Sequence, residues 1–253
     1  MPDALGAAMA TPGLAWLLLV ISVAGIIRGF TGFGTALIFA PVANIFLEPK
    51  QVVTVIALTG VASNAVVLPR AWGQASRREV GLLVAAALLT VPVGIGLLDL
   101  LDRTAVRWVV TGVAGGMLAA LLAGWRYARP VPVPMLLPIG AAAGVIGGMT
   151  GLTGPVVILF YLAGQALVQA VRANTILFLA ALDAVILVNL GIKGDITPGL
   201  LLLAGIVSIP YAVTTTIGQA LFDPRHERLY RRAAYSVIGL AVVSGLPVWD
   251  NGG

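Results

Sequence analysis

The chain has 253 residues and a formal net charge of +5; it is 59% apolar and only 10% charged. Soluble domains carry about a quarter charged residues, so this chain cannot cover its surface with polar groups and needs lipid around it. There is no cysteine, and the single histidine, His226, stands among charged residues, so we expect no disulfide, metal site or cofactor. Its basic residues fall between apolar stretches, which indicates membrane topology rather than nucleic-acid binding.

Ten apolar segments follow one another along the chain in two sets of five. They cover residues 14 to 28, 35 to 47, 51 to 70, 79 to 98 and 105 to 125, then 134 to 147, 155 to 166, 172 to 190, 198 to 220 and 233 to 248. No Lys or Arg precedes the first segment, so we interpret it as a retained helix and not a signal peptide. Each set opens with two segments of roughly 18 to 23 Å, too short to cross the ~30 Å hydrocarbon core alone.

The two sets are related by a sequence repeat. The motif GxxxGxTG occurs at residues 25 to 32 and again at 144 to 151, an offset of 119 residues. At the same offset, Asn64 aligns with Asp183. Pro92 lies within one residue of Pro210 at that offset. The sequence therefore predicts an all-α polytopic membrane protein made of two repeats, 1–130 and 131–253, integrated in one membrane domain.

Glycine clusters separate the two short segments of each set, and a helix broken inside a membrane must be buried in protein or line a wet cavity. If each pair is a re-entrant hairpin, ten basic residues lie at one face, and the other face holds Lys50, Arg103, Arg107 and Lys193. If each pair is one broken helix that crosses once, the split is eight to six and Lys193 lies opposite Lys50. The positive-inside rule favours the hairpins.

The predicted topology is therefore two inverted repeats, each a broken or re-entrant helical hairpin plus three transmembrane helices, with both termini outside the cytoplasm. Ten short crossings would give the same charge count, and segment length disfavours them.

Arg28 and Asp183 are charged residues inside apolar segments, where a charge is usually buried, paired or functional. Arg28 closes the first half-helix; it is either an anion ligand or a helix-end cap or snorkelled side chain. Asp183, whose repeat partner is the neutral Asn64, is either a proton or cation site coupled to transport or a buried partner of Arg28 or of backbone groups. We favour the partner role for Asp183.

The second half-helix of each pair begins inside the membrane, at Gly34-Thr35 and at Thr153-Gly154-Pro155, where these residues suit a helix start. The free N–H groups there favour an anion, although glycines also allow membrane helices to pack closely. We predict one midplane cavity whose substrate-binding residues are Arg28, Gly29, Thr31, Gly32, Gly34, Thr35, Asn64, Gly148, Thr150, Gly151, Thr153, Gly154 and Asp183. Tyr161, Gln165 and Gln219 are further candidates for polar lining, and we expect Thr214, Thr215 and Thr216 to bond their own helix after Pro210.

The glycine motifs GFTGFG at residues 29 to 34 and GMTGLTG at 148 to 154, in paired positions and followed by the segment around Arg172, resemble the TauE/SafE sulfite exporter family of bacterial membrane proteins. The resemblance covers nearly the whole chain. It implies export or uptake of a sulfur-containing or organic anion, such as sulfite, sulfoacetate or another sulfonate.

We therefore predict a secondary transporter of a small anion in the bacterial inner membrane that works by alternating access. No GxxxxGK[ST] loop is present, which argues against ATP as the energy source. An anion channel is the alternative, and a membrane-embedded enzyme is disfavoured because the sequence lacks a reactive constellation. The expected partners are the anion and the bilayer; a coupling proton or sodium ion and a homodimer stay open.

Overall fold

The computed structural model describes residues 2–31, 34–124, 132–154, 156–157, 168–221 and 227–249, and within these ranges the secondary structure is helical without strands. In chain order the helices are α1 Pro2–Met9, α2 Leu14–Thr31, α3 Thr35–Phe46, α4 Pro49–Trp72, α5 Arg77–Leu100, α6 Arg103–Leu122, α7 Val133–Thr150, α8 Val168–Ile192, α9 Pro198–Ala220 and α10 Glu227–Gly245. The predicted all-α architecture is confirmed. The apolar segments did not indicate α1.

The outer surface of the helix bundle is apolar. Five of the described helices are long and apolar enough to cross a membrane. They include α7, so the prediction that the segment at 134 to 147 is too short to cross alone is wrong, because the helix continues to Thr150. Leu89, Leu100 and Ile192 expose 76%, 81% and 82% of their surfaces, whereas Phe39 and Phe178 are fully buried. Large exposed aliphatic side chains are unfavourable in water and are accommodated by hydrocarbon, so the described surface suits a lipid environment.

The break between α2 and α3 turns the chain back toward its starting end. Gly34 has φ +101°, a left-handed backbone that favours glycine, and α3 begins at the next residue. Phe46, at the end of α3, packs its ring against Gly13, just before α2. These two helices therefore form a hairpin. The matching segment of the second half, residues 155 to 166, lies outside the described residues except for 156–157.

Ion pairs gather at one end of the bundle, called here the Lys50 end, which comprises Glu48, Lys50, Asp99, Arg103, Lys193 and Asp195. The Lys50 ammonium lies 2.5 Å from Asp99 and 3.2 Å from Asp195, and that of Lys193 lies 2.9 Å from Asp99. Because Lys50 and Lys193 share one carboxylate, they lie at the same end. That position fits the hairpin topology and does not fit the alternative in which each broken helix crosses once.

Both terminal regions also lie at the Lys50 end. Ala4 and Ala7 of α1 lie 3.8 Å from the position that a methyl group on Gly199 would occupy, at the start of α9. Near the other terminus, the guanidinium of Arg107 donates to the carbonyl oxygen of Gly245 at 3.3 Å. The opposite end, called here the Arg77 end, comprises Ser76, Arg77, Glu79 and Asn174; the Asn174 side chain accepts from the Ser76 N–H at 2.7 Å and donates to Glu79 at 3.1 Å.

Two close helix crossings hold the halves of the chain together, and small residues make both. In the α2–α9 crossing, a methyl group on Gly29 would lie 2.6 Å from the Thr215 carbonyl oxygen and 2.7 Å from Gly218. In the α5–α7 crossing, a methyl group on Gly148 would lie 2.6 Å from the Val91 carbonyl oxygen and 3.4 Å from Gly94. Approach at this distance leaves no room for a side chain, so glycine is required at both places.

The two crossings are built from matching residues. Gly29 and Gly148 are 119 residues apart, while their partners Gly94 and Gly218 are 124 apart. The sequence comparison placed Pro92 near Pro210 at the shorter offset, so the packing register of α5 and α9 differs by about five residues, roughly one and a half helical turns, from the register read in the sequence.

Helix directions follow from the same contacts. From the beginning of α7 to its end, Gly140 contacts Leu83 and Gly148 contacts Ile95. Residue numbers increase along both helices in the same direction, so α7 runs parallel to α5. The α2–α9 pair is parallel by the same test, since Gly25 contacts Tyr211 and Gly29 contacts Gln219.

The two crossings point in opposite directions. Helix α5 ends at the Lys50 end, where Asp99 lies. Helix α9 begins at that same end, three residues after Asp195. Because α2 runs parallel to α9 and α7 runs parallel to α5, α2 and α7 run antiparallel to each other.

Candidate functional site

A cavity of about 50 Å³ lies where the break after α2 meets α4, α8 and α9. Its wall carries one cation, one carboxylate, an amide, three threonines and a tyrosine, together with small and apolar groups. The described residues that line it are Arg28, Gly34, Thr35, Ala36, Leu37, Ile56, Thr59, Gly60, Asn64, Thr153, Gly154, Leu179, Asp183 and Tyr211. The cavity thus includes residues from both halves of the chain and from both glycine-rich breaks.

Much of the wall consists of pairs separated by the repeat offset. The pairs are Gly34 with Thr153, Thr35 with Gly154, Gly60 with Leu179, and Asn64 with Asp183, each 119 residues apart. The last pair is in direct contact, because the Asn64 amide nitrogen lies 3.5 Å from Oδ2 of Asp183. The cavity therefore lies where equivalent parts of the two halves meet.

The charged side chains of the cavity are connected through an amide. The guanidinium of Arg28 donates to Oδ1 of Asn64 at 3.1 Å, and the amide nitrogen of Asn64 faces Asp183. Asn64 and Asp183 are 2% and 4% exposed. Asn64 thus stands between the cation and the carboxylate, and the guanidinium has further donors beyond the one that Asn64 accepts.

The beginning of α3 forms another part of the wall. Gly34, Thr35, Ala36 and Leu37 line the cavity, and the first backbone bond of the helix runs from the Ile38 N–H to the Gly34 carbonyl at 3.2 Å. N–H groups in a first helical turn have no acceptor within their helix and carry the positive end of its dipole. This end of α3 and Arg28 therefore both contribute positive potential to the cavity.

A hydroxyl pair joins the two halves at the same wall. Oγ1 of Thr35 and the hydroxyl of Tyr211 are 3.0 Å apart, and Tyr211 is 2% exposed. Each hydroxyl can both donate and accept, so the pair can present one donor to a molecule in the cavity while keeping its mutual bond.

Seven of the thirteen predicted site residues line this cavity: Arg28, Gly34, Thr35, Asn64, Thr153, Gly154 and Asp183. Gly29 and Gly148 lie instead at the two helix crossings, where they allow close packing. Thr150 and Gly151 end α7: the Thr150 hydroxyl donates to the Ile146 carbonyl at 2.6 Å, and Gly151 adopts φ +73°. These four residues are not among the described residues that line the cavity.

Of the remaining two predicted residues, the structure describes one. Thr31 is the last residue of α2, and Gly32 lies outside the described residues, as do Tyr161 and Gln165. Farther along the chain, Thr214 donates to the Pro210 carbonyl at 2.8 Å and Thr216 to that of Ala212 at 2.9 Å, so these two threonines bond their own helix as expected. For Thr215 the expectation is wrong, because its buried hydroxyl has no hydrogen-bond partner among the described residues.

Seven lining residues escaped the sequence-based prediction: Ala36, Leu37, Ile56, Thr59, Gly60, Leu179 and Tyr211. Gly60 is one turn before Asn64, and its missing side chain makes room for Oδ2 of Asp183, which a methyl group there would strike. Its spacing from Asn64 could have indicated it. Tyr211 carried no such signal, because its contact with Thr35 depends on the register of α9.

A comparison with protein families decides the class of protein. Residues 17–245 match the model of the sulfite exporter TauE/SafE family. The chain belongs to the TauE/SafE family. No curated protein and no solved structure matched it in the corresponding searches. This is a family of membrane transporters and not of enzymes, so the described helices are those of a multi-pass membrane transport protein. The resemblance seen in the glycine motifs is thereby confirmed.

Proposed function

We propose that this protein is a secondary carrier that moves a compact oxyanion across the bacterial inner membrane. The observation that carries the proposal is the joint placement of Arg28 and the beginning of α3 on one small buried cavity. A guanidinium offers several N–H donors in a fixed plane, which suits the oxygen atoms of sulfite or of a sulfonate group. The helix end and the hydroxyls of Thr35 and Tyr211 supply further donors.

The size of the cavity favours a small member of the expected substrates. About 50 Å³ of internal space corresponds to roughly three or four water molecules. Sulfite has four heavy atoms and a simple sulfonate such as methanesulfonate has five, whereas sulfoacetate has eight. We therefore propose sulfite or a similarly compact oxyanion as the substrate, and a larger sulfonate would need the walls to move apart.

Two features support alternating access between inverted halves. Helices α2 and α7 run in opposite directions, and each packs on a long helix of the other half through the same arrangement of glycines. The cavity is lined by Arg28 near the end of α2 and by Thr153 just after α7, and in it Asn64 meets its repeat partner Asp183. We propose that the halves rock about this contact so that the cavity opens to one side at a time.

The charge distribution suggests the orientation in the membrane. Four basic residues, Lys50, Arg103, Arg107 and Lys193, lie toward the Lys50 end, and other basic residues of the sequence are assigned to the opposite face by the hairpin topology. We propose that the Lys50 end faces away from the cytoplasm and that both termini are periplasmic. Since the chain is free of cysteine, single cysteines at positions 3 and 250 should react with an impermeant reagent from the periplasmic side only.

Transport in proteoliposomes tests the proposal. Purified protein should take up labelled sulfite with saturation, and a high internal concentration of unlabelled sulfite should drive counterflow of the label. Sulfoacetate, taurine and lactate should compete less than sulfite or methanesulfonate. Conductive flux without counterflow would instead establish the alternative, an anion channel. Absence of flux for all these compounds in correctly folded protein would refute the proposed function.

A further inference from the structure

The cavity of the proposed carrier holds a carboxylate as well as a cation. Asp183 is 4% exposed, and Gly60 leaves the space that its Oδ2 occupies. Asp183 faces the amide of Asn64, with Arg28 beyond that amide. A second anion entering the same cavity of about 50 Å³ must approach this carboxylate.

The charge balance of the cavity makes that approach unfavourable while Asp183 is ionised. Arg28 and Asp183 together contribute zero net charge, so a bound monoanion leaves one uncompensated negative charge. Water cannot screen this charge effectively in a buried space, and two like charges a few Å apart repel strongly there. One proton on Asp183 removes the repulsion and keeps the cavity neutral with the anion bound.

We infer that Asp183 is the proton-coupling site of this transporter and binds one proton with each anion. This inference rests on the proposed function, because it concerns the same cavity. The carboxylate takes the proton from water on the side where the anion enters and returns it to water on the side where the anion leaves. No covalent bond to the anion forms at any point, and each cycle moves one proton together with one anion.

The other groups around Asp183 leave it as the proton acceptor. From α4, the lining residues Ile56, Thr59, Gly60 and Asn64 do not titrate in the physiological range. Arg28 of α2 and Tyr211 of α9 also face the cavity. On α5, which also packs on α8, Glu79 is at the Arg77 end and bonds Asn174. Of the described groups that line the cavity, Asp183 is the carboxylate.

The repeat supplies a natural mimic of the protonated state. Asparagine is a neutral group of the same shape, and the equivalent position of the first half is occupied by Asn64. The variant Asp183→Asn should therefore fold, bind the anion and lose the coupling. As a matched control, Asp102→Asn removes the same charge at an exposed helix start, where Asp102 accepts from the Ala105 N–H at 2.6 Å and asparagine caps equally well.

Calorimetry of methanesulfonate binding tests the inference on the purified full chain. This anion stays ionised at every pH used, so protons exchanged with buffers of different ionisation enthalpy come from the protein. Wild type and Asp102→Asn should take up about one proton per anion, with affinity falling about tenfold per pH unit on the alkaline side. Asp183→Asn should bind at all these pH values with no proton uptake.

The outcomes separate the inference from the proposed function. Wild-type binding of methanesulfonate without proton uptake would overturn the inference and leave the carrier intact; this measurement needs no variant. Proton uptake that persists in folded Asp183→Asn would also overturn it. If wild type bound neither methanesulfonate nor sulfite, the proposed function would fail and the coupling role with it. In proteoliposomes, a proton gradient should accelerate uptake by wild type and leave exchange by Asp183→Asn unchanged.

Discussion

The two halves of this chain agree where helices pack and differ where the cavity forms. At the crossings, Gly29 and Gly148 each sit on a glycine of the opposite half with nearly the same contacts. At the cavity, Arg28 has Gly147 at the repeat offset and Asn64 has Asp183. Both halves have glycines at the equivalent packing positions. At each of the two cavity positions, by contrast, only one half has a charged side chain. The equal residues therefore hold the fold, and the unequal ones give the cavity its chemistry.

The largest effect should come from filling a crossing. Gly94→Val places a side chain against the Val145 carbonyl, and Gly218→Val does the same against the Ile26 carbonyl. Each should cost on the order of 3 kcal/mol or more, because backbone atoms cannot move away, and should sharply lower the yield of monodisperse protein. Gly96→Val, on the same helix as Gly94 but with no atom within 4 Å, is the control. Sensitivity at only one of the two crossings would contradict the matched packing.

The next effect concerns the unequal position Arg28. Arg28→Gln removes charge-assisted hydrogen bonds worth roughly 1.5 to 3 kcal/mol, so anion affinity should fall about ten- to a hundredfold while the protein stays folded. Arg28→Lys should retain part of the affinity, because it keeps the charge and loses the planar donor set. Arg78→Gln, an exposed arginine beside the Arg77 end, should bind like wild type. Titration calorimetry checks all three.

A smaller effect is expected at the hydroxyl pair. Tyr211→Phe removes one neutral hydrogen bond to Thr35, worth about 0.5 to 1.5 kcal/mol, and should weaken anion binding by roughly two- to tenfold. Thr35→Val should have a similar effect, and the double variant should lose less than the sum of the two if the hydroxyls act together. Fully additive losses would show that the two groups act separately.

The smallest effect should be at the Lys50 end. Lys193 and Asp99 are 39% and 43% exposed, so Lys193→Gln should change the free energy of unfolding by no more than about 1 kcal/mol. Added salt should reduce the difference from wild type further. A loss comparable with that of Arg28→Gln, in anion affinity or in stability, would show that this end contributes to the site.

The membrane helices and many residues of the cavity wall could be predicted from the sequence, and the physical reasons can be named. Apolar length predicts membrane helices, and a charge within such a segment, as at Arg28 and Asp183, is costly enough to indicate burial. The offset of 119 residues paired Asn64 with Asp183, and these side chains are in contact. Up to this point the signal lies in residue type and spacing.

Tyr211 shows where such reasoning stops. Its place depends on how α9 packs on α2, and that crossing follows an offset of 124 residues and not 119. A shift of about five residues within an apolar helix leaves its mean hydropathy almost unchanged, so the sequence does not reveal the shift. In the same way, the motifs GFTGFG and GMTGLTG could not separate Gly29 and Gly148, which pack helices, from Gly34 and Gly154, which line the cavity.

The position of the bound anion tests the central claim most directly. Crystals grown with selenate, a compact oxyanion containing an anomalous scatterer, would locate it without assumptions about mechanism. We expect an anomalous peak within the cavity, with selenate oxygens in hydrogen-bond range of the Arg28 guanidinium and the first turn of α3. A peak at the Arg77 end instead, with the cavity empty and binding measured in solution, would contradict the account.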